Sequence, residues 1–393
     1  MRSRWSLLAI ARRLAGGAMV AALGSLTSAC TVSNEGNITT PPPPSVFPSS
    51  GGSGTGGSSS GGSAGSSVIP GGGSSGEGAA TDLSKPWKST GCGMPPPEGQ
   101  VPTIPGSRTG YTEYTVMQTG ATLGTDEPTK AGERQFFVRV PADYNQETPY
   151  RIVYIGQGCG ANRAGKTNTY PMFNEMQGGT EQAIYVGLSV PDNDANPGCY
   201  DNNTGPQSQE WEAFDLIHSF IESKFCVDNN RIHVTGYSTG GWLANMWGCY
   251  FGGVPDPPRK FSPKWAVRGH AAVTGSLPPN QPACNGPSAG FWLHDAGDKS
   301  NLIATNIAAI NLNLQTNGCQ GDYENGPKQP WLPADEIAGL SSDICQEYTG
   351  CPAEVAKNYP IVFCTTNGLG HGDQSSSAIP VITKFFDLMN PTQ

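Results

Sequence analysis

Short apolar segments alternate with longer amphipathic segments along the C-terminal three quarters of the chain. Residues 133–141 alternate apolar and polar side chains, which is typical of a half-buried or edge strand. Residues 150–155 and 183–190 are short and mostly apolar, and they predict interior strands. Between residues 210 and 225, apolar side chains recur mostly every three or four positions, which predicts an amphipathic helix.

The same alternation continues toward the C-terminus. Further strands are predicted at residues 231–235, 269–273, 290–293 and 360–364, and further helices at residues 239–249, 302–314 and 379–389. Strands that alternate with helices favour a mainly parallel sheet with helices on both faces. We therefore predict an α/β fold, and residues 91–393 are long enough to bury one large core.

The chain before residue 91 has a different composition. Gly, Ser, Pro and Thr supply 32 of the 40 residues from 41 to 80, and such a segment cannot bury a core. We therefore predict a disordered linker over residues 31–90. It would join an N-terminal signal segment, residues 1–30, to a catalytic domain, residues 91–393.

The first 30 residues have the pattern of an export signal. A weakly apolar run, residues 14–26, follows four arginines and ends shortly before Cys30. A basic start, a short apolar run and small residues at the cut site are typical of a secretory signal peptide. Cysteine at this position favours a bacterial lipoprotein signal, in which Cys30 becomes the lipidated first residue. The alternative is ordinary cleavage near Ala29. Either process predicts an exported protein, anchored at the cell surface or outer membrane, or secreted.

Charge and cysteine content narrow the possible partners. The net charge of −9 disfavours nucleic-acid binding, which normally needs a basic face. No run of about 20 apolar residues follows the N-terminus, so we expect membrane contact only through the lipid anchor. Of the eleven cysteines, ten follow Cys30, and an even number in an exported chain predicts up to five disulfides. Neither a Cys-x-x-Cys motif nor a histidine pair at ligand spacing occurs, so no metal and no cofactor are predicted.

A candidate nucleophile lies in the segment 236–240, which reads Gly-Tyr-Ser-Thr-Gly and matches Gly-x-Ser-x-Gly. The motif follows a predicted strand and opens a predicted helix, which is the context of a nucleophile elbow. Glycine is needed because side chains would collide in so tight a turn. The helix N-terminus also stabilises negative charge that forms in front of Ser238. Ser238 is therefore the predicted nucleophile, and a chance Gly-Ser turn is the alternative.

A serine nucleophile of this type needs a histidine and an acid, in the chain order Ser, acid, His. Of the five histidines, His371 satisfies that order, in a glycine-rich loop after the last predicted strand. A histidine on a surface loop is the alternative interpretation. Asp295 and Asp298 both follow the strand at 290–293. We favour Asp298, because it lies past the turn and its carboxylate can reach back to a histidine on the neighbouring loop.

An oxyanion hole requires two backbone N–H donors near the nucleophile. One is predicted to be Thr239, the residue after Ser238. The other is predicted in the glycine-rich loop that follows the strand at 150–155, with Cys159 as the donor and Gly158 as the alternative. A glycine turn without a catalytic part would explain the same loop.

Three further residues are candidates for substrate contact. Gln157 lies in the predicted oxyanion loop and can donate a hydrogen bond. Trp242 lies one turn into the helix after Ser238, and Trp331 lies in a Pro- and Gly-rich stretch. Either indole could contact an acyl or phenolic group, since loops of this kind often form the rim of a hydrolase site. Core packing is the alternative for Trp242, and ordinary loop packing is the alternative for Trp331.

These residues resemble the feruloyl esterases and polyhydroxybutyrate depolymerase-like esterases, which are exported α/β-hydrolases. The resemblance covers most of residues 91–390. Its motifs are Gly91-Cys92-Gly93, the strand at 133–141, Cys226-Val227-Asp228, the elbow at 236–240, His294 with Asp298, Tyr348-Thr349-Gly350-Cys351, and Cys364 with Gly370-His371. Gln157-Gly158 stands where the family usually carries His-Gly.

The resemblance implies an α/β-hydrolase fold and a Ser238–His371–Asp298 triad that works without a metal. It implies a serine esterase that hydrolyses feruloyl (hydroxycinnamoyl) esters of plant cell-wall polysaccharide through an acyl-enzyme. One alternative is a depolymerase of polyhydroxyalkanoates or other short-chain esters. Another, from a different class, is a surface-binding lipoprotein that keeps a hydrolase fold without catalysis.

One disulfide is predicted from the position of two cysteines. Cys226 ends the helix before the elbow strand, and Cys249 ends the helix after the elbow. Both would lie at the same end of the sheet, so we predict a Cys226–Cys249 bond. The partners of the other eight cysteines stay open.

Overall fold

The computed structural model describes residues 82–389 except 101–109, 121–131, 161–182, 191–197, 203–207, 254–264, 280, 282–283, 332–343 and 373–374. The predicted signal segment with Cys30, and residues 31–81 of the predicted linker, lie outside the described residues. Residues 82–90, which we assigned to the linker, instead pack on the domain. Trp87 N donates to Asp228 Oδ1 at 2.8 Å, and Ser89 is 6% exposed. The folded domain therefore begins before residue 91, the start that we predicted from the sequence.

Ten strands among the described residues form one sheet. They are β1 (Thr112–Gln118), β2 (Gly132–Arg139), β3 (Tyr150–Gly156), β4 (Ala183–Leu188), β5 (Val227–Tyr237), β6 (Gly269–Val273), β7 (Ala289–Asp295), β8 (Lys328–Pro330), β9 (Cys345–Tyr348) and β10 (Ile361–Thr366). Their order is β1-β2-β4-β3-β5-β6-β7-β10-β9-β8. The six neighbouring strands β4, β3, β5, β6, β7 and β10 run parallel. At one edge β2 pairs antiparallel with β4, and β1 with β2; at the other edge β9 pairs antiparallel with β10, and β8 with β9. The predicted mainly parallel sheet is confirmed.

Five helices are described, and they cover both faces of the sheet. They are α1 (Glu210–Lys224), α2 (Thr239–Tyr250), α3 (Ile303–Thr316), α4 (Ala353–Asn358) and α5 (Ser375–Asp387). On one face, α1 and α2 pack through a cluster that contains Trp211 and Trp247. On that same face, Ile310 of α3 packs against Trp292 of β7. On the other face, α5 packs through Phe385. Both faces of the sheet carry apolar side chains, because successive side chains of a strand point to opposite faces.

All ten described cysteines are paired. The bonds are Cys92–Cys226, Cys159–Cys199, Cys249–Cys284, Cys319–Cys351 and Cys345–Cys364. The number agrees with the predicted maximum of five.

The predicted Cys226–Cys249 bond is wrong, because a separate segment lies against each cysteine. Beside Cys226, Gly91 N donates to the Glu222 carbonyl at 2.8 Å, which brings Cys92 to the end of α1. Beside Cys249, Asn285 N donates to the Cys249 carbonyl at 3.1 Å, which brings Cys284 to the end of α2. The end of α2 lies against the start of α1, where the ring centroids of Tyr250 and Trp211 are 4.5 Å apart, and not against the end of α1 that carries Cys226.

None of the helices in the described part of the chain combines the length and hydropathy that a membrane span needs.

Candidate active site

Ser238 occupies the sharp turn between β5 and α2. Its backbone has a φ of 54°, a conformation that side chains other than glycine rarely adopt. The Ser238 amide donates to the Val273 carbonyl at 3.0 Å, which ties the turn to the end of β6. The strand, turn and helix that the sequence predicted around Ser238 are present.

Glycines make this turn possible by allowing backbone to meet backbone. A Cβ atom on Gly236 would lie 2.4 Å from the carbonyl carbon of Gly240. A Cβ atom on Gly240 would lie 2.3 Å from the carbonyl carbon of Gly156, at the end of β3. Both distances are far below any real carbon contact, so larger residues would force the start of α2 away from β3 and β5.

The side chains of Ser238, His371 and Asp298 form one hydrogen-bonded array. Ser238 Oγ lies 3.0 Å from His371 Nε2, and His371 Nδ1 lies 2.7 Å from Asp298 Oδ2. His371 is half-buried, whereas the Asp298 side chain is fully buried. The Tyr237 hydroxyl donates to the His371 carbonyl and so holds the histidine loop beside the elbow. The structure therefore brings the three predicted residues together, with the roles of nucleophile, base and acid still predictions.

The carboxylate of Asp298 is fixed by its own turn. Its Oδ1 atom accepts from Ser300 N at 2.8 Å and from Asn301 N at 3.0 Å, which leaves Oδ2 facing the imidazole. Asp295, the alternative acid, does not face the imidazole. Its Oδ2 atom accepts instead from Leu369 N at 2.9 Å.

The other four histidines are buried, and His294 also lies beside the array, with its Nε2 3.6 Å from Asp298 Oδ2. They are His218, His233, His270 and His294, each 2% exposed or less. Desolvation lowers the pKa of His218 and of His270 to about 3, so both imidazoles are neutral at neutral pH. Burial also lowers the pKa of His294, whose Nε2 donates to the Asn301 carbonyl at 2.9 Å. Of the five histidines, all of them described, His371 alone is hydrogen-bonded to Ser238.

The loop after β3 lies directly beside the start of α2. The Thr239 hydroxyl donates to the Gln157 carbonyl at 3.2 Å, and Cys159 Sγ lies 3.6 Å from Thr239 Oγ1. A Cβ atom on Gly158 would lie 3.4 Å from the Ser238 Cβ. The predicted donors Thr239 and Cys159 are therefore neighbours, and Gly158 lies beside the nucleophile.

Two residues that the sequence did not single out hold this loop and Thr239 in place. Cys199 forms a disulfide with Cys159, and Gly160 N donates to Gly198 O at 2.6 Å beside it. Asn202 donates from Nδ2 to the Thr239 carbonyl at 2.8 Å. An even cysteine count indicates that Cys159 has a partner, but nothing in the local pattern identifies Cys199 or Asn202.

The three predicted substrate contacts have different environments. Gln157 is 2% exposed, and within the described ranges its Nε2 has no hydrogen-bond partner. Trp242 is half-buried, one turn after Ser238, and its indole N–H likewise has no partner in the described part of the chain. Trp331 is 3% exposed and packs on Phe291 and Phe385, with ring centroids 5.9 and 6.3 Å away. Trp331 therefore packs in the core beneath α5, which favours a packing role, and its contact with substrate stays a prediction.

No group of three or more His, Cys, Asp or Glu side chains that could hold a metal ion occurs among the residues described.

No protein-family model matches the chain. Among curated proteins, feruloyl esterase D of Neurospora crassa is 27% identical over 246 residues, which cover 60% of this chain and 73% of that protein. Feruloyl esterase C of Emericella nidulans is 22% identical over 266 residues, which cover 64% of this chain and 83% of that protein. The chain is a relative of the feruloyl esterases. That half of the resemblance is confirmed, and the polyhydroxybutyrate depolymerase half stays a prediction.

Among solved structures, esterases are similar to the chain at low identity. An acetyl xylan esterase from Aspergillus awamori is 12% identical with a TM-score of 0.45, and the match covers 70% of this chain and 99% of that one. A ferulic acid esterase from Anaeromyces mucronatus, in complex with ferulic acid, is 13% identical with a TM-score of 0.42, and the match covers 75% and 97%. The strand order, the elbow after β5 and the helices on both faces give this relative of the feruloyl esterases an α/β-hydrolase fold.

Proposed function

We propose that this chain is an exported serine esterase that hydrolyses feruloyl and related hydroxycinnamoyl esters of plant cell-wall polysaccharide. The observation that carries the proposal is the hydrogen-bonded array of Ser238, His371 and Asp298 at a strand-to-helix turn. Its curated relatives are feruloyl esterases, which are carboxylic ester hydrolases. The array supplies the chemistry, and the relatives supply the substrate class.

Acylation begins with attack of Ser238 Oγ on the ester carbonyl carbon. His371 Nε2, 3.0 Å away, accepts the hydroxyl proton, and the Asp298 carboxylate stabilises the imidazolium through Nδ1–H. The backbone amides of Thr239 and Cys159 bind the oxyanion of the tetrahedral intermediate, and the N-terminus of α2 stabilises the same charge. His371 then protonates the alcohol oxygen, which leaves.

Deacylation repeats these steps with water. His371 accepts a proton from a water molecule that attacks the acyl carbon of the Ser238 ester. The same donors stabilise the second oxyanion, and collapse of the intermediate returns the proton to Ser238 and frees the carboxylic acid. Gln157, in the loop beside Thr239, and Trp242, one turn after Ser238, remain the proposed substrate contacts, because the side-chain N–H group of each is buried without a hydrogen-bond partner among the described residues.

Export is part of the proposal. Five disulfides fit an extracellular protein, since such bonds persist in oxidising compartments. We further propose that Cys30 is lipidated after removal of the signal segment and that the Gly/Ser/Pro-rich linker tethers the domain to a membrane surface. Mass spectrometry of the mature N-terminus would distinguish a diacylated Cys30 from ordinary cleavage.

Hydrolysis of two esters by the mature oxidised chain tests the proposal. We expect cleavage of both p-nitrophenyl acetate and methyl ferulate, and loss of both activities in Ser238→Ala. Cleavage of the acetate alone would contradict the hydroxycinnamoyl specificity and favour a short-chain or hydroxyalkanoate ester. Cleavage of neither, with a Ser238 that resists a fluorophosphonate, would favour the surface-binding protein without catalysis.

A further inference from the structure

A second buried carboxylate lies three residues before Asp298. Asp295 is the last residue of β7 and is fully buried. Its Oδ1 atom accepts from Gly297 N at 2.8 Å, and its Oδ2 atom accepts from Thr366 Oγ1 and from Leu369 N, each at 2.9 Å. The carboxylate therefore accepts from these three donors, and the Gly370 backbone also donates to it.

These donors belong to two different segments. Gly297 lies in the turn that carries Asp298, and Asp298 N itself donates to the Asp295 carbonyl at 3.1 Å. Thr366 and Leu369 lie at the end of β10 and in the loop that carries His371. One carboxylate thus joins the two segments whose relative position determines the 2.7 Å contact between His371 and Asp298.

The histidine loop needs such a connection because its own backbone is permissive. Gly368 has a φ of 97° and Gly370 a φ of 62°, and glycine at such positions lets the chain adopt many conformations. Apart from the contacts of the His371 side chain with Ser238 and Asp298, further ties of this loop include the hydrogen bond from Gly372 N to Leu369 O at 3.3 Å and that from the Tyr237 hydroxyl to the His371 carbonyl. Leu369, whose amide Asp295 accepts, lies between the two glycines.

We propose that Asp295 is a positioning residue for catalysis: its carboxylate sets the His371 loop against the Asp298 turn. The inference rests on the proposed esterase function and deepens it. Asp295 acts through the His371–Asp298 pair and does not touch the substrate.

Asp295→Asn is the direct test, because it keeps the shape and replaces one acceptor oxygen with a donor. An amide nitrogen cannot accept from Leu369 N, from Gly297 N or from a donating Thr366 hydroxyl. We expect kcat for methyl ferulate to fall about 10- to 100-fold with KM nearly unchanged, because a misplaced catalytic group costs rate at that scale. Asp322→Asn is the matched control, since Asp322 accepts from Asn325 N at 2.8 Å in an exposed turn.

A double-mutant cycle distinguishes a positioning role of Asp295 from a general loss of stability. If Asp295 acts through Asp298, its loss costs much less in an Asp298→Asn background than in the wild type. Equal losses in both backgrounds, or a kcat for Asp295→Asn within twofold of wild type, would overturn the proposal.

A conservative pair at Thr366 gives an independent test should Asp295→Asn fail to fold. Thr366→Val removes the hydroxyl donor, and Thr366→Ser keeps it. We expect a lower kcat in the valine variant and near wild-type kcat in the serine variant. Equal kcat in the two variants would contradict the positioning role.

Proton NMR tests the positioning role of Asp295 by a signal that does not depend on esterase activity. The His371 Nδ1–H in contact with Asp298 gives a downfield resonance, which Asp295→Asn should broaden or remove and Asp322→Asn should leave in place. An unchanged resonance would overturn the inference. Failure of the wild type to cleave either ester would instead overturn the proposed function, while the resonance still reports on the loop.

Discussion

Cys159 is joined to Cys199 by a disulfide, which ties the loop after β3 to the segment that precedes α1. Cys159 is exposed, whereas Cys199 is 7% exposed. Because Cys159 Sγ also lies 3.6 Å from Thr239 Oγ1, the bond anchors the loop beside the N-terminus of α2. The Cys159 amide, one of the two proposed to bind the oxyanion, is therefore held by a covalent link to the segment before α1. Asn202 of the same segment donates to the carbonyl of Thr239, which carries the other proposed amide.

Removal of this disulfide should lower the rate of ester hydrolysis. We predict that Cys159→Ser/Cys199→Ser loses about tenfold in kcat for methyl ferulate, since loss of a whole oxyanion donor costs about 10²–10³-fold and a loosened donor costs less. Loss of a native disulfide also costs about 2–5 kcal/mol of unfolding free energy. Kinetics are therefore measured at a temperature where circular dichroism shows a folded protein.

The matched control for that variant is Cys319→Ser/Cys351→Ser, which opens a disulfide just after α3. It should lower stability and leave kcat near the wild-type value. If both double variants lose kcat equally, the effect belongs to general loosening and not to the oxyanion loop.

Ser238 combines chemistry with an unfavourable backbone conformation, and two substitutions separate these properties. Ser238→Ala and Ser238→Gly should each lower kcat by at least about 10⁴-fold, because both remove the nucleophile. Glycine adopts a φ of 54° without strain, whereas alanine does not. We therefore expect the glycine variant to unfold in urea with a free energy about 1 kcal/mol above that of the alanine variant. A glycine variant less stable than the alanine variant would show that the turn stores no such strain.

The sequence predicted the central elements because they have strong local periodicity. The helix at α1 and the strand at β6 were predicted to within a residue of their bounds. β1, β8, β9 and α4 were missed, since β8 and β9 span three and four residues and β1 is an edge strand with alternate exposed positions. β5 extends four residues before the predicted start, because Asp228, Asn229 and Asn230 are polar yet buried.

The local sequence pattern could not predict which residues, distant along the chain, contact each other in the fold. Arg134 and Glu210 are polar positions of a strand and a helix, yet they form a fully buried ion pair at 2.5 Å. Cys226 and Cys249 were placed at the correct ends of their helices, but their partners come from the segment before β1 and the segment before β7. Ser238, Asp298 and His371 were predictable because parallel strands bring their carboxyl ends to one edge. Asp295, Asn202 and Cys199 act only through contacts that the fold creates.

Asp295 should contribute to the pH dependence of the free energy of unfolding. Backbone donors such as Leu369 N and Gly297 N lower the pKa of Asp295 to about 2, although burial alone would raise it. A carboxyl whose pKa is lower in the folded than in the unfolded state binds its proton more readily after unfolding. Its stabilisation is therefore complete above the ordinary value of 3.8 and is lost as the pH falls toward 2.

Urea unfolding of the wild type and Asp295→Asn between pH 7 and pH 2 measures this contribution. We expect the wild type to be the more stable protein at pH 6 and the difference to shrink between pH 4 and pH 2. A difference that stays constant over this range would show that the ionised carboxylate is not the stabilising form.

Substitutions of the two tryptophans proposed from the sequence should have different effects, on stability for Trp331 and on substrate recognition for Trp242. Trp331→Ala should lower the free energy of unfolding by about 3–5 kcal/mol, because it empties a core site beneath Phe385. Its KM for methyl ferulate should stay near that of the wild type at a temperature where the variant is folded. A large rise in KM without loss of stability would instead support contact of Trp331 with substrate.

Trp242→Phe should instead change recognition, because it keeps an aromatic ring on α2 and removes the indole N–H. That N–H is buried and has no partner among the described residues, and Trp242 lies one turn after Ser238, so we expect it to bind the methoxy or phenolic oxygen of a ferulate that enters the site. Loss of one hydrogen bond costs about 0.5–1.5 kcal/mol, which is about a 2- to 10-fold rise in KM for methyl ferulate. Because p-nitrophenyl acetate lacks those oxygens, its KM should change much less. An equal change for both esters would identify Trp242 as a packing residue of α2, and the specificity for hydroxycinnamoyl groups would then have to come from Gln157 and other parts of the pocket.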